Sequence, residues 1–184
     1  MPNISDLTTT PDEPPVRLQL HGVLVRVDGV GVLLLGESGS GKSECALQLV
    51  LMGHQLVADD VVEVAVRGDH IVGAAPPLTR GLLAIRGLGI FDARAIFGTQ
   101  AFAEVSSIDL CLEICDEADA APLNVTGQEM ILGCTVPKLV IARGPDQHLS
   151  TKVTTAVRRH RSPESAAARE SFCSSNELVP MVHR

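Results

Sequence analysis

Apolar residues fall along this chain in short blocks separated by glycines and polar turns. Val16–Gln19 and Gly22–Val27 read as short strands with His21-Gly22 between them, and Asp28-Gly29 is a hairpin signal. Val30–Leu35 is a continuous apolar run, the pattern of a strand buried on both faces. A glycine-rich loop follows. Lys42–Met52 then repeats at helical spacing, with Cys45, Ala46, Leu49 and Val50 on its apolar side and Gly53 at the C-terminal capping position. Gln55–Ala58 is a second apolar run that ends in Asp59-Asp60. Val61–Val66 and Ile71-Val72 flank Arg67-Gly68-Asp69 as a hairpin. Beyond Pro76-Pro77, Leu82–Ile85 predicts a strand, Arg86-Gly87-Leu88-Gly89 a loop and Ile90–Phe97 a helical turn. Ser107–Cys115 alternates apolar Ile108, Leu110, Leu112 and Ile114 against Asp109, Cys111, Glu113 and Cys115, which predicts a half-exposed strand. Lys138–Ala142, after Pro137, predicts a strand, and Leu149–His160 a helix.

Composition bounds the organisation. Residues 1–15, rich in Thr, Pro, Asp and Ser, predict a disordered leader; 16–160 carry the patterned blocks; 161–184 are polar and Ser-rich, a poorly ordered tail. The 184 residues suffice for one domain with a real core. Four Phe and no Trp or Tyr leave that core to Val, Leu, Ile and Ala, and argue against base-stacking surfaces. Net charge is −7 with a pI near 5.3, so no basic field invites nucleic acid; Arg158-Arg159-His160-Arg161 reads as a solvated helix end. Five cysteines, odd in number and without CxxC spacing, suggest neither a disulfide framework nor a zinc site and predict a reducing cytoplasm. No apolar run is long enough to span a membrane, and the N-terminus has no signal-segment pattern.

The chemistry concentrates in Gly36-Glu37-Ser38-Gly39-Ser40-Gly41-Lys42-Ser43, a complete GxxxxGK[ST] phosphate loop between a buried strand and a helix. Glycines let backbone N–H groups turn inward around phosphate oxygens, and the helix N-terminus adds partial positive charge. Lys42 is placed to reach the outer phosphates of ATP and Ser43 to ligate Mg²⁺. Such a loop needs a carboxylate at the end of a neighbouring strand, and Asp59 and Asp60 qualify. On an extended chain adjacent carboxylates point apart, one toward the metal and one toward an acceptor hydroxyl whose proton it can take. Asp116-Glu117-Ala118-Asp119 spells a helicase box, but the chain is too short for two motor domains and too acidic to track a strand; these residues read as a solvated acidic loop.

His21-Gly22-Val23-Leu24-Val25, Gly36 to Glu44, Gly53-His54-Gln55-Leu56-Val57-Ala58-Asp59-Asp60 and Ile85-Arg86-Gly87-Leu88-Gly89-Ile90 occur in the order and near the spacing of one family. Over roughly residues 16–160 the chain resembles the catalytic domain of HPr kinase/phosphorylase, in the short form that lacks an extra N-terminal domain. The resemblance implies a P-loop α/β fold of the HPr kinase/phosphoenolpyruvate carboxykinase type. It implies an ATP-dependent serine kinase that acts on the phosphocarrier protein HPr of the phosphotransferase system, can reverse the reaction, and assembles into hexamers. It places His21 in an active-site histidine motif, makes Asp60 the base in the kinase direction and acid in reverse, gives Asp59 to the metal, and puts Arg86–Gly89 in a signature loop at the active site.

The chain departs from that family at three places. Ala84 stands where the family has a metal-binding glutamate. Ala120-Ala121-Pro122-Leu123 lacks an expected arginine. Arg143-Gly144-Pro145-Asp146-Gln147 replaces a Pro-Gly-Arg-Asn loop that serves dephosphorylation. These departures leave three readings open: an HPr-type serine kinase with weakened phosphorylase activity, a nucleotide-binding regulatory module that has lost catalysis, and a small-molecule kinase of the same fold.

Overall fold

The structure, a computed structural model, describes residues 17–116, 126–144 and 148–162. The expected leader, nearly all of the expected tail and the segment Ala120–Leu123 lie outside the described residues. A six-stranded sheet forms the centre. Its order is β11 (Thr126–Ile131), β12 (Cys134–Arg143), β10 (Leu110–Asp116), β3 (Val30–Gly36), β2 (Val23–Val27) and β4 (Gln55–Ala58). A four-stranded sheet runs β1 (Arg17–His21), β5 (Val61–Arg67), β6 (His70–Ala74) and β9 (Ser106–Ser107), and β7 (Leu82–Ile85) pairs only with β8 (Gly89–Asp92). The helices are α1 (Lys42–Leu51), α2 (Ala93–Phe97) and α3 (Leu149–His160).

The apolar run of β3 is buried on both faces because each face has its own cover. Val32 and Leu34 pack with Val23, Val25, Leu110 and Leu112 against Cys45, Ala46 and Leu49 of α1 and Val153 and Val157 of α3. Leu33 turns the other way, joining Leu24, Val57 and Cys111 against Val62, Val64 and Ile71 of the smaller sheet. The small sheet reaches the large one through Gly22, where the chain leaves β1 for β2 without a hairpin, so the two strands read beside His21 belong to different sheets.

Three local expectations need correction. The stretch read as a half-exposed strand is β10, held between β3 and β12 inside the sheet. Its alternation is real and its second face is partly open: Cys111 is fully buried, while Glu113 keeps 42% of its side chain exposed and pairs with Lys138 at 2.7 Å, which also reaches Glu129 at 2.9 Å. Burial pushes the Cys111 thiol up to about 12 and the Cys45 thiol equally, so neither serves as a nucleophile. The strand expected after Pro137 starts earlier and runs through the proline. Leu132 and Gly133, at φ 49° and 80°, form the tight turn that folds β11 onto β12 from Cys134, while pairing with β10 begins only at Lys138, one residue past the ring without an N–H. Ile90–Phe97 is not one helical turn. Gly87 and Gly89, both at positive φ, reverse the chain into β8, and α2 starts only at Ala93, where the Asp92 carboxylate accepts from Arg94 N–H at 2.8 Å.

The contact between β3 and the β9–β10 junction depends on a missing side chain. A Cβ on Gly31 would lie 1.6 Å from the Ser107 carbonyl oxygen, while Gly31 N–H donates to Asp109 at 2.7 Å. Gly31→Ala therefore destabilises the fold by about 3 kcal/mol or more, the upper part of the overpacking range. Gly127→Ala, at a site with open space around the added Cβ, has an effect within about 0.5 kcal/mol. Urea denaturation of both variants checks the difference; equal midpoints would show that β3 tolerates displacement from Ser107.

Candidate functional site

Strand direction assembles the site. β10 runs parallel to β3 and β12 parallel to β10; β2 opposes both β3 and β4, which aligns β4 with β3. The carboxyl ends of β3, β4, β10 and β12 therefore open on one edge, the place where α/β sheets bind ligands. The phosphate loop leaves β3 there, Asp59-Asp60 leave β4, and Asp116 and Arg143 close β10 and β12. Because β2 runs the other way, its beginning lies on the same edge and brings His21 with it.

Within the loop, Gly36 sits at φ 136° and a Cβ there would meet the Ile114 carbonyl oxygen at 2.5 Å. Gly39 and Gly41 hold φ 82° and 90°, and Gly41 caps α1. Ser40 N–H donates to the Glu37 carbonyl at 3.2 Å, which closes the turn through Ser38. Lys42 is buried, and its ammonium curls back to donate to the carbonyls of Gly36 at 2.7 Å and Glu37 at 2.8 Å. Burial lowers its pKa, while the charges of Asp60 and Asp59 work in the opposite direction.

Asp59 is buried at 6 % exposure and ties three elements together. One carboxylate oxygen accepts from the Ser43 hydroxyl at 2.8 Å, in the first turn of α1; the other accepts from the Ala84 backbone N–H at 2.9 Å, in β7. Burial raises its pKa, the two hydrogen bonds pull it down, and the Asp60 charge pushes it up further.

Asp60 is not on the extended chain that the sequence suggested. Its φ is 67°, and Val61 N–H donates to the Asp59 carbonyl at 2.8 Å, closing a three-residue γ-turn around it. The turn separates the paired carboxylates, leaving Asp59 buried and Asp60 exposed. A non-glycine residue at such φ stores about 1–3 kcal/mol, and such strain gathers at functional positions. Gly22 N–H holds the Asp60 carbonyl at 3.0 Å, and His21 Nδ1 lies 3.2 Å from a carboxylate oxygen of Asp60, with both side chains more than half exposed.

Of the residues singled out, Lys42, Ser43, Asp59, Asp60 and His21 thus share one edge with the phosphate loop. Arg86 does not join them by any described contact. It sits exposed in a turn closed by Leu88 N–H on the Ile85 carbonyl at 3.0 Å, and the contact with the site comes from the strand before it, through the backbone of Ala84. Two groups had weaker sequence signals: that backbone N–H, which no side-chain pattern reveals, and Arg143, which stood out only as the first residue of the loop that departs from the family. Among the described residues no three His, Cys, Asp or Glu side chains gather as a metal cage. Ser43 and Asp59 bring two oxygen donors together and could hold a Mg²⁺ whose remaining positions are filled by phosphate oxygens and water.

A family model, the HPr serine kinase C-terminal domain, matches residues 15–175. The chain belongs to that family. Among relatives of this HPr kinase C-terminal domain, the HPr kinase/phosphorylase of Caldanaerobacter subterraneus subsp. tengcongensis is 42% identical over 150 residues, covering 79% of this chain and 49% of that protein. That of Caldicellulosiruptor bescii is 43% identical over 166 residues, covering 88% and 53%. The solved Hpr(Ser) kinase/phosphatase of Coxiella burnetii superposes with a TM-score of 0.77 at 31% identity, covering 88% of this chain and 99% of that one. The chain spans about half the length of the curated relatives it matches. The α/β P-loop kinase fold expected from the sequence is the fold of this family member.

The raised pKa of Asp59 fixes a pH signature. The folded state holds the Asp59 proton to higher pH than the unfolded chain does, so this residue disfavours folding increasingly as pH rises through its folded pKa. Asp59→Asn removes the titrating group while keeping an acceptor for Ala84 N–H. The variant without nucleotide gains stability relative to wild type as pH rises from acid to neutral. Paired urea titrations at both pH values measure this; a stability difference that shrinks toward neutral pH would show that the Ser43 and Ala84 hydrogen bonds outweigh burial.

Proposed function

We propose that this chain is an ATP-dependent serine kinase of the HPr kinase/phosphorylase type, acting on the phosphocarrier protein HPr in the cytoplasm and working as a homo-oligomer, a hexamer as the resemblance implies. The observation that carries the reading is the division of labour at the end of β4: a buried Asp59 hydrogen-bonded to Ser43 and an exposed Asp60 with His21 Nδ1 3.2 Å away, beside the same phosphate loop. Lys42 and the loop amides would hold the outer phosphates of ATP, and Ser43 with Asp59 would hold Mg²⁺. The bound cation supplies charge neutralisation at the transferring phosphoryl group.

The chain's own residues supply the rest. Asp60 accepts the proton of the attacking serine hydroxyl, and its exposure leaves it open to a protein substrate. His21 holds the Asp60 carboxylate in orientation, and the γ-turn prevents Asp60 from collapsing inward beside Asp59. In the reverse direction the same carboxyl returns the proton. A weakened enzyme, and at the extreme a nucleotide-binding regulatory module, is favoured by one observation: at Ala84 the chain offers the site a backbone N–H and no carboxylate.

Transfer of label from ATP to HPr tests the reading. Asp60→Asn keeps ATP affinity within about twofold and lowers single-turnover transfer about 10²–10⁴-fold, the span of general-base catalysis. Lys42→Ala in a folded protein serves as the non-binding control. If Asp60→Asn transfers as fast as wild type, Asp60 is not the base; if wild type transfers nothing, the regulatory reading takes its place. Ala84→Glu raises the kinase rate about tenfold and sharpens its Mg²⁺ dependence, in line with the effect of altering a metal's immediate surroundings. An unchanged Mg²⁺ titration in that variant would show that the lost carboxylate is neutral here.

A further inference from the structure

The exposed tip of the phosphate loop has one anchor outside its own motif. Arg143, the last residue of β12, donates from Nη1 to the Gly39 carbonyl at 3.0 Å. Its other edge is committed: Nε and Nη2 donate to one oxygen of Asp116 at 3.1 and 2.7 Å. Asp116 and Arg143 are direct partners in the parallel register of β10 and β12, so the sheet itself fixes the pair. Apart from Lys42, Arg143 is the one described side chain that bonds a carbonyl of residues 36–40. Gly39 has open space where a Cβ would stand, so no described atom packs against that side of the tip.

From this geometry we propose that Arg143 is a positioning residue for nucleotide binding. It pins the Gly39 carbonyl outward, so that the loop amides keep the inward orientation that receives phosphate oxygens. Asp116 anchors the guanidinium and at the same time offsets its charge. Preorganisation of this kind improves affinity by removing the ordering that binding would otherwise require. The pair is more than two-fifths exposed on each side, so the effect is modest. The proposal rests on the nucleotide-binding reading of the loop, but its structural half does not need nucleotide.

Two measurements on the full chain separate these. In nucleotide-free protein, hydrogen exchange of the Ser38–Gly41 amides is faster in Arg143→Ala than in wild type, and Arg143→Lys, which keeps one donor, restores part of the protection. By calorimetry with Mg-ADP, Arg143→Ala weakens binding about fivefold, as expected for one partly exposed hydrogen bond to a charged group. Asp116→Asn keeps a polar anchor and unmasks the guanidinium, so binding is equal to or tighter than wild type. A purely structural ion pair gives the opposite: both variants weaken binding alike through lower stability. Unchanged exchange in folded Arg143→Ala, or equal weakening by Asp116→Asn, overturns the proposal. Absence of Mg-ADP binding in wild type would sink the nucleotide reading, while the exchange result still decides whether Arg143 holds the loop.

Discussion

A buried carboxylate holds this site together. Asp59 joins the end of β4, the first turn of α1 and the β7–β8 hairpin through a hydroxyl and a backbone N–H. The two hydrogen bonds lower its pKa, yet burial dominates and the group stays harder to ionise than a free aspartate. A site built this way is still incomplete electrostatically, because among the described residues the cation beside this carboxylate is Lys42, whose ammonium is turned to the loop carbonyls. On the proposed reading, nucleotide and Mg²⁺ relieve both arrangements together: the phosphates draw Lys42 and the metal satisfies Asp59.

The second constraint is the backbone at Asp60. Had the chain continued extended from β4, it would have stayed in the large sheet, with Asp60 pointing to the face opposite Asp59. The γ-turn lets the chain break out of the large sheet, expose Asp60 and enter β5 of the small sheet within a few residues. β5 pairs with β1 so that Val61 lies opposite His21, which is why a histidine far away in sequence meets Asp60. The sheet-to-sheet crossing and the strained residue are thus one feature, and the strain of about 1–3 kcal/mol is offset by packing along the whole β1–β5 ladder.

Much of this was legible in the sequence where one residue type does one job. The phosphate loop announced itself through its glycines and Lys42, and the apolar run before it marked β3 as a strand covered on both sides. Asp28-Gly29 marked its hairpin because Asp tolerates positive φ beside Gly. The misses have a common cause. Leu132-Gly133 makes the same kind of turn, but leucine does not signal positive φ, so β11 went unread and β12 was started after its proline. The place of β10 between β3 and β12, with Glu113 paired to Lys138 of the neighbouring strand, is information that lies outside the segment itself. The conformation of Asp60 was hidden for a related reason: a γ-turn at a non-glycine residue is imposed by the crossing between sheets, and local preference opposes it.

The charge balance at the sheet edge sets what such a site can bind. Asp59, Asp60 and Asp116 face Lys42 and Arg143, and Arg143 is already paired with Asp116, so the acids outnumber the cations among the described residues here. The chain as a whole carries −7, so no distant field corrects this. Loop amides and the α1 dipole favour an anion at short range, but they contribute only a fraction of a charge at the helix end. On the proposed reading, a bare triphosphate would face these acids with little to compensate them. On that reading, a triphosphate that brings its own divalent cation would reverse the sign beside Ser43 and Asp59 and leave the exposed Asp60 able to take a proton. On the proposed reading, the aspartates that would repel a naked nucleotide are therefore the feature that makes the site selective for its metal complex.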